Sequence, residues 1–256
     1  ASAMIGGILR QGIFSKDEII VSNLTDEGRA RSEKTLGVVT TLDNNEIVRS
    51  AKTVVLAVKP QFYEEVLTEV HDSLTTEHTI IGIAPGKTLA WLEEKAGLPL
   101  KVVRFMPNTP AQVGAGMTAV CTNDRVSEDE LAEILKITDS FGCTEVIPER
   151  LMDAAGAVGG CSPAYVFMMI EAMADAAVIG GMPRSQAYTF AAQAVLGSAK
   201  MVLETGKHPG ELKDMVCSPA GTTIDAVAIL EKDGFRNSII DAMVGCMNKS
   251  KELGKK

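Results

Sequence analysis

The β signal in this chain stops at Pro148. Before it, short β-branched runs alternate with amphipathic stretches; after it, one helical pattern follows another. Strand candidates fall at Glu18–Ser22, Thr53–Val58, Thr79–Ala84, Lys101–Met106, Met117–Cys121 and Cys143–Ile147. Helical patterns lie between them at Thr25–Lys34, Pro60–Asp72, Leu89–Ala96 and Ser127–Phe141. A continuous apolar run such as Thr53-Val54-Val55-Leu56-Ala57-Val58 suits a parallel sheet covered on both faces. The alternation predicts an α/β fold, a Rossmann-like doubly wound sheet over residues 1–148. An all-helical domain over 149–256 should follow, with helices near 163–180, 184–205, 209–216, 223–232 and 235–252.

The first long helix of that second domain is expected to open at Ser162-Pro163, a hydroxyl cap followed by a proline in the first turn. Gly180-Gly181 and Pro183 close it. Between Ala164 and Ile179 only Glu171 and Asp175 are charged, and a helix apolar nearly all round must be buried on every side. A domain this small has few places to bury it, so the helix is expected to pack across a subunit interface.

Composition excludes several classes. With 46% apolar and 23% charged residues the chain is globular, neither disordered nor fibrous. The 33 acidic residues outweigh 25 basic ones, and no Lys/Arg stripe supplies a footprint for nucleic acid. Five scattered cysteines without a CxxC pair read as reduced thiols, and three isolated histidines give no metal motif. Asp153 breaks the longest apolar stretch, so no bilayer span is expected. The apolar N-terminus lacks a basic leader and a cleavage signal, and a cytoplasmic protein is expected.

In a dinucleotide-binding βαβ unit, a strand and a glycine turn precede the first helix. Here Ala1 to Gly12 already reads as that helix, so the strand and glycine loop are expected to be absent from the sequence given. At the end of the next strand, where an acidic residue would grip the ribose of NAD, stands Ser22-Asn23-Leu24-Thr25, with Arg29 and Arg31 close behind. An uncharged end around Asn23 favours NADP, with NADPH preferred over NADH, although a plain turn capped by Thr25 reads equally well and Asp26 opposes a phosphate. Two further strand-end loops, Ala57-Val58-Lys59-Pro60-Gln61 and Arg104-Phe105-Met106-Pro107-Asn108-Thr109-Pro110, face the usual ligand crevice. Lys59 and Asn108 offer donors there; the prolines alone also explain a helix start and a turn.

The most informative segment runs from Pro209 to Val227 and contains Cys217-Ser218-Pro219-Ala220-Gly221-Thr222-Thr223 between two helices. Free N–H groups at a helix start, joined by the hydroxyls of Ser218, Thr222 and Thr223, form an uncharged anion site suited to a carboxylate. The competing reading is a well-capped helix with Thr222 as cap and Asp225 three residues on.

This segment resembles the signature of pyrroline-5-carboxylate reductases, the enzymes of the last step of proline synthesis. The likeness from Pro209 through Glu231 extends to Ala57-Val58-Lys59-Pro60, Arg104–Pro110 and Ser162-Pro163-Ala164-Tyr165, and bacterial members are the most similar. It implies that Ser218, Gly221, Thr222 and Thr223 hold the substrate carboxylate and ring nitrogen. It further implies that Ala57, Lys59, Pro60, Met106, Pro107 and Asn108 lie in cofactor loops and that Asn44 touches the adenine side. Family members dimerise through intertwined helical domains, often assembled into decamers, so a homodimer at least is implied. Three departures stand out: the missing glycine loop, Gly82-Ile83-Ala84-Pro85-Gly86 in place of Ser-Ile-Ala-Ala-Gly, and Cys161 where Ser or Gly is common.

The implied reaction is hydride transfer from NADPH to the C=N carbon of 1-pyrroline-5-carboxylate, with Thr223 bonded to the ring nitrogen as a proton relay. A protonated imine is already electrophilic, so positioning suffices. A β-hydroxyacid dehydrogenase would need a base, generally a lysine early in the second domain, yet no Lys or His occurs between Arg150 and Arg184. A non-catalytic assembly module fits the missing glycine turn but not the intact Ser218–Thr223 run.

Overall fold

The computed structural model describes residues 1–254, apart from the side chain of Leu253. Lys255 and Lys256, the end of the expected helical domain, lie outside the described residues. The chain forms two compact units. The first runs past Pro148 to Cys161 and takes in the chain from Cys246 onward; the second is Ser162–Gly245.

The first unit contains, in order, α1 (Ser2–Gln11), β1 (Ile20–Ser22), α2 (Asp26–Leu36), β2 (Val39–Thr41), α3 (Asn44–Ser50), β3 (Thr53–Leu56), α4 (Tyr63–Glu69), β4 (Thr79–Gly82), α5 (Leu89–Ala96), β5 (Lys101–Met106), β6 (Gly116–Thr122), α6 (Glu128–Asp139), β7 (Gly142–Val146) and α7 (Met152–Ala155). Strands β3 to β7 form a five-stranded sheet in sequence order, while β1 and β2 pair in parallel as a separate ribbon. Successive residues of the central strands point to opposite faces, as the period of two requires. Ile80 and Val102 enter one core with Leu56, Tyr63, Leu92 and Met152. Their neighbours Ile81 and Val103 enter another with Met4, Phe105, Ile134 and Phe141. The sheet is therefore covered on both sides, and β4 is buried throughout.

Several expectations need correction. The sheet is not wholly parallel: β5 and β6 are antiparallel, and β6 and β7 parallel again. The link between β5 and β6 is a loop with one 3-10 turn, Thr109–Val113, too short for a helical crossover, so the chain must reverse. β2 and α3 were not expected, because three and seven residues are too few to display a period. Local bonds define α3 instead: the Asp43 carboxylate accepts from Asn45 N–H at 2.8 Å. The strand expected at 53–58 ends at Leu56, leaving Ala57 to Pro60 in a loop. β6 and β7 start where two glycine backbones touch: a Cβ on Gly142 would lie 1.9 Å from the Gly116 carbonyl oxygen.

Ser162-Pro163 does not open a helix. α7 runs through a π-helical segment, Gly156–Cys161, directly into the next helix. A π-turn shifts the hydrogen-bond register by one residue, which accommodates the missing N–H of Pro163. Asp153 does not interrupt this run either: the helix Glu149–Ile179 contains a stretch long and apolar enough to cross a bilayer, by length and composition only.

The second unit holds α8 (Ser162–Ile179), α9 (Arg184–Thr205), α10 (Pro209–Val216), α11 (Thr222–Lys232) and most of α12 (Phe235–Gly254). α8 and α9 pack as a hairpin whose fully buried positions are Ala174, Ala187 and Ala191, small side chains that let the backbones approach. Within the chain α8 is not buried all round: Phe167 is 59% and Met168 68% exposed.

Candidate functional site

Three parallel strand ends build one edge of the first unit. After β3 come Ala57, Val58 and Lys59, all exposed, and Pro60, which starts a 3-10 turn. The Lys59 carbonyl accepts from Phe62 N–H at 2.9 Å, and its side chain does not cap the turn. Tyr63, missed in the sequence, fixes this loop: its buried hydroxyl donates to the Leu56 carbonyl at 2.6 Å and accepts from Ile83 N–H at 3.0 Å. It thus clamps the ends of β3 and β4, and burial pushes the phenol up to about 12. The only hint in sequence is an aromatic directly behind the proline loop.

After β5, Met106, Pro107 and Asn108 are half-buried. Asn108 spends part of its amide inside the fold, with one Nδ2 hydrogen and Oδ1 engaged. Nδ2 donates to the Gly159 carbonyl at 3.0 Å, and Met117 N–H donates to Oδ1 at 2.9 Å. The residue holds its loop against the start of β6 and the π-turn. Met106 lies beside Gly156 of that turn. Below them Arg104, almost fully buried, pairs with Glu149 at 2.7 Å, and the same carboxylate oxygen accepts from Leu89 N–H at 2.7 Å. That link joins β5, the start of α5 and the chain after β7; nothing in the sequence spacing announces it.

At the end of β1, Asn23 N–H donates to the Thr41 carbonyl at 3.1 Å and Asn23 Oδ1 accepts from Ser32 Oγ at 3.0 Å. Its Nδ2 is buried without a partner, and so is Arg29 Nε in the first turn of α2. Thr25 caps α2, accepting from Gly28 N–H at 3.1 Å. Arg29 also pairs with Asp26 at 3.1 Å, so Asp26 spends its charge locally. Buried donors are ordinarily paired, so these two, one at the end of β1 and one in α2, are orphaned polar atoms. Asn44, at the start of α3, donates to Glu69 at 2.8 Å.

The second unit contains the other set. Gly221 N–H donates to the Ser218 carbonyl at 3.0 Å, closing a tight turn in which Ala220 has φ 56, the left-handed region that a residue with a Cβ rarely adopts. Ser218 Oγ lies over Gly221: a Cβ there would come within 2.6 Å of it. Thr222 is not the cap of α11. Gly221 occupies that position, and no side chain caps the helix. The N–H groups of the first turn are therefore left for another acceptor. Ser218 and Thr222 are exposed, Gly221 and Thr223 half-buried, so the run is open to solvent. Among the described residues no cluster of three metal-ligating side chains occurs.

Comparison with known proteins adds the following. Residues 149–253 match the family model described as pyrroline-5-carboxylate reductase dimerisation, and residues 1–86 match NADP oxidoreductase coenzyme F420-dependent. The chain is 49% identical over 253 residues to the pyrroline-5-carboxylate reductase of Escherichia coli K12, covering 99% of this chain and 94% of that one. It is 42% identical over 255 residues to the enzyme of the same name from Methanosarcina acetivorans, covering 100% and 94%. Among solved structures, the pyrroline-5-carboxylate reductase of Coxiella burnetii superposes with TM-score 0.91 at 33% identity, covering 98% of this chain and 94% of that one. The Plasmodium falciparum pyrroline carboxylate reductase, solved with NADP bound, gives 0.90 at 32%, covering 99% and 94%.

Proposed function

Because the chain belongs to the pyrroline-5-carboxylate reductase family, we propose a division of labour in which residues 1–148 bind the dinucleotide and 149–256 dimerise and hold the substrate. The enzyme reduces 1-pyrroline-5-carboxylate to L-proline with NAD(P)H, the last step of proline biosynthesis. A bound reduced nicotinamide supplies the hydride, which goes to the C=N carbon.

The uncapped start of α11 carries the substrate assignment. The N–H groups of Thr222 and Thr223, with the Ser218 and Thr222 hydroxyls, donate to the substrate carboxylate. The helix dipole contributes about 0.3–1 kcal/mol and each hydrogen bond to the charged group about 1.5–3 kcal/mol. Such a cradle needs no lysine or arginine, and Gly221 lets the backbone come close. Thr223 bonds the ring nitrogen and relays its proton. Ala57, Lys59, Pro60, Met106, Pro107 and Asn108 line the cofactor side; Lys59 meets a phosphate, and Asn108 also keeps its loop in place. Asn44 stands on the adenine side.

NADPH is preferred over NADH, and the support is the pair of unpartnered donors, Asn23 Nδ2 and Arg29 Nε, where a 2′-phosphate would bring acceptors. The apolar exterior of α8 is covered by a second copy rather than by lipid, giving a homodimer as the unit from which a decamer assembles. A cytoplasmic location suits this biosynthetic role.

The test is NADPH oxidation by the complete protein with the pyrroline imine against a panel of 3-hydroxy acids. Turnover is expected with the imine alone, and Thr223→Ala should lower kcat/KM at least about tenfold, the loss of one strong hydrogen bond. A Thr223→Ala enzyme with wild-type kcat and KM removes Thr223 from the site.

A further inference from the structure

Two thiols with no part in that chemistry meet within the first unit. Cys161 ends the π-turn and Cys246 lies in α12; their sulfurs are 2.9 Å apart, the Cys246 S–H directed at Cys161 Sγ. Both are free thiols, Cys161 exposed and Cys246 half-buried. The surrounding helix is docked rather than loose. Four residues on, Ser250 Oγ donates to Asp153 in α7 at 2.6 Å. At its end, a Cβ on Gly254 would come 3.1 Å from the Gly86 carbonyl oxygen. The two sulfurs thus sit on backbones that hold them together.

We propose that Cys161 and Cys246 form a dithiol modification site that a hydroperoxide closes into a disulfide. The Cys161 thiolate attacks a peroxide oxygen; the O–O bond breaks, leaving a sulfenic acid at Cys161 and releasing water. Cys246 then attacks the oxidised sulfur, the S–S bond forms, and the hydroxyl leaves with the remaining thiol proton as a second water. One hydrogen peroxide is reduced to two waters while two thiols give up two protons and two electrons. Cys161 reacts first because it is the exposed thiol of the pair. The hydrogen bond to Cys161 and burial push the Cys246 thiol up to about 11, so it stays protonated until the second step. Closing the gap from 2.9 Å to a bond of about 2.05 Å brings the sulfurs together by only about 1 Å. The cross-link staples α12 to the segment whose Gly159 carbonyl holds Asn108.

The experiment treats the full-length protein with a small excess of hydrogen peroxide and follows it by intact mass and non-reducing peptide mapping. The expected result is a loss of two hydrogens, one peptide joining Cys161 to Cys246, reversal by dithiothreitol, and a Tm raised by several degrees as the closed loop restricts the unfolded chain. Cys161→Ser and Cys246→Ser should each abolish the linked peptide and the Tm rise while keeping reductase turnover in reducing buffer. With Cys246→Ser, a dione probe should trap the sulfenic acid at Cys161. Oxidation that stops at separate sulfenic or sulfinic acids in the wild type, a chain-to-chain disulfide, or selective reaction at exposed Cys143 would overturn the proposal. So would an unchanged Tm rise in Cys246→Ser.

Discussion

Gly221 shows how little room the turn before α11 leaves. Its added methyl would press on Ser218 Oγ at 2.6 Å and on the Ser218 carbonyl at 3.1 Å, groups of the proposed carboxylate cradle. Gly221→Ala is therefore expected to raise KM for the imine about tenfold or more, with the NADPH dissociation constant unchanged. Ala220→Gly, which removes the Cβ from a left-handed residue, should hold or raise Tm by comparison. Steady-state kinetics and calorimetry on the pair check both. Arg29 makes the second case. Losing a charge-assisted bond to a 2′-phosphate should weaken NADPH binding about tenfold in Arg29→Ala and leave NADH alone. Fluorescence titration decides; equal losses for both cofactors would remove Arg29 from phosphate reading. Legibility at this scale was uneven. The Ser218–Thr223 run stood out because no single cap needs so many hydroxyls, yet Thr222 proved to lie inside the helix. Nothing in the sequence signals that the Asn108 amide bonds Gly159 and Met117.

At the scale of elements, α6 is set by a capping box. Ser127 accepts from Glu130 N–H, and Glu130 accepts from Ser127 N–H at 3.0 Å while pairing with Lys101 of β5. The Lys101 bond and the Ser127 N–H hold the Glu130 carboxyl down to about 2, below its ordinary 4.5. A folded-state value below the unfolded one stabilises fully above about pH 4.5, and the benefit is lost as pH falls towards 2. Glu130→Gln should thus cost about 0.5–1 kcal/mol near neutrality, a modest figure because the group is partly exposed. In acid the two proteins should converge; chemical denaturation across pH 2–7 measures the gap. The helices with strong boundaries were legible, among them α9 between Pro183 and Gly206 and α10 from Pro209. β2 and α3 were not, being short and polar, and the π-turn was hidden because Ser162-Pro163 imitates a helix start.

For the whole molecule, the exposed apolar surface of the second unit is its most demanding property. Phe167, Met168, Phe190 and Leu203 all stand in solvent in the single chain, and covering each is worth about 1.5–3 kcal/mol. A Phe167→Glu/Met168→Glu double variant should run as a monomer or aggregate in size exclusion with light scattering, where the wild type gives at least twice the chain mass. A dispersed wild-type monomer would contradict the dimer. The antiparallel turn from β5 to β6 has a further consequence, one of parity. Each strand followed by a returning helix brings a chain back to the rim it started from. A single strand-to-strand reversal changes odd to even, so the helix after β7 travels upward instead of down. Its contacts record the climb: Glu149 beside Arg104, Gly156 beside Met106, Gly159 beside Asn108. The polypeptide consequently departs the sheet at the rim where β3, β4 and β5 finish, without spending an extra segment to get there.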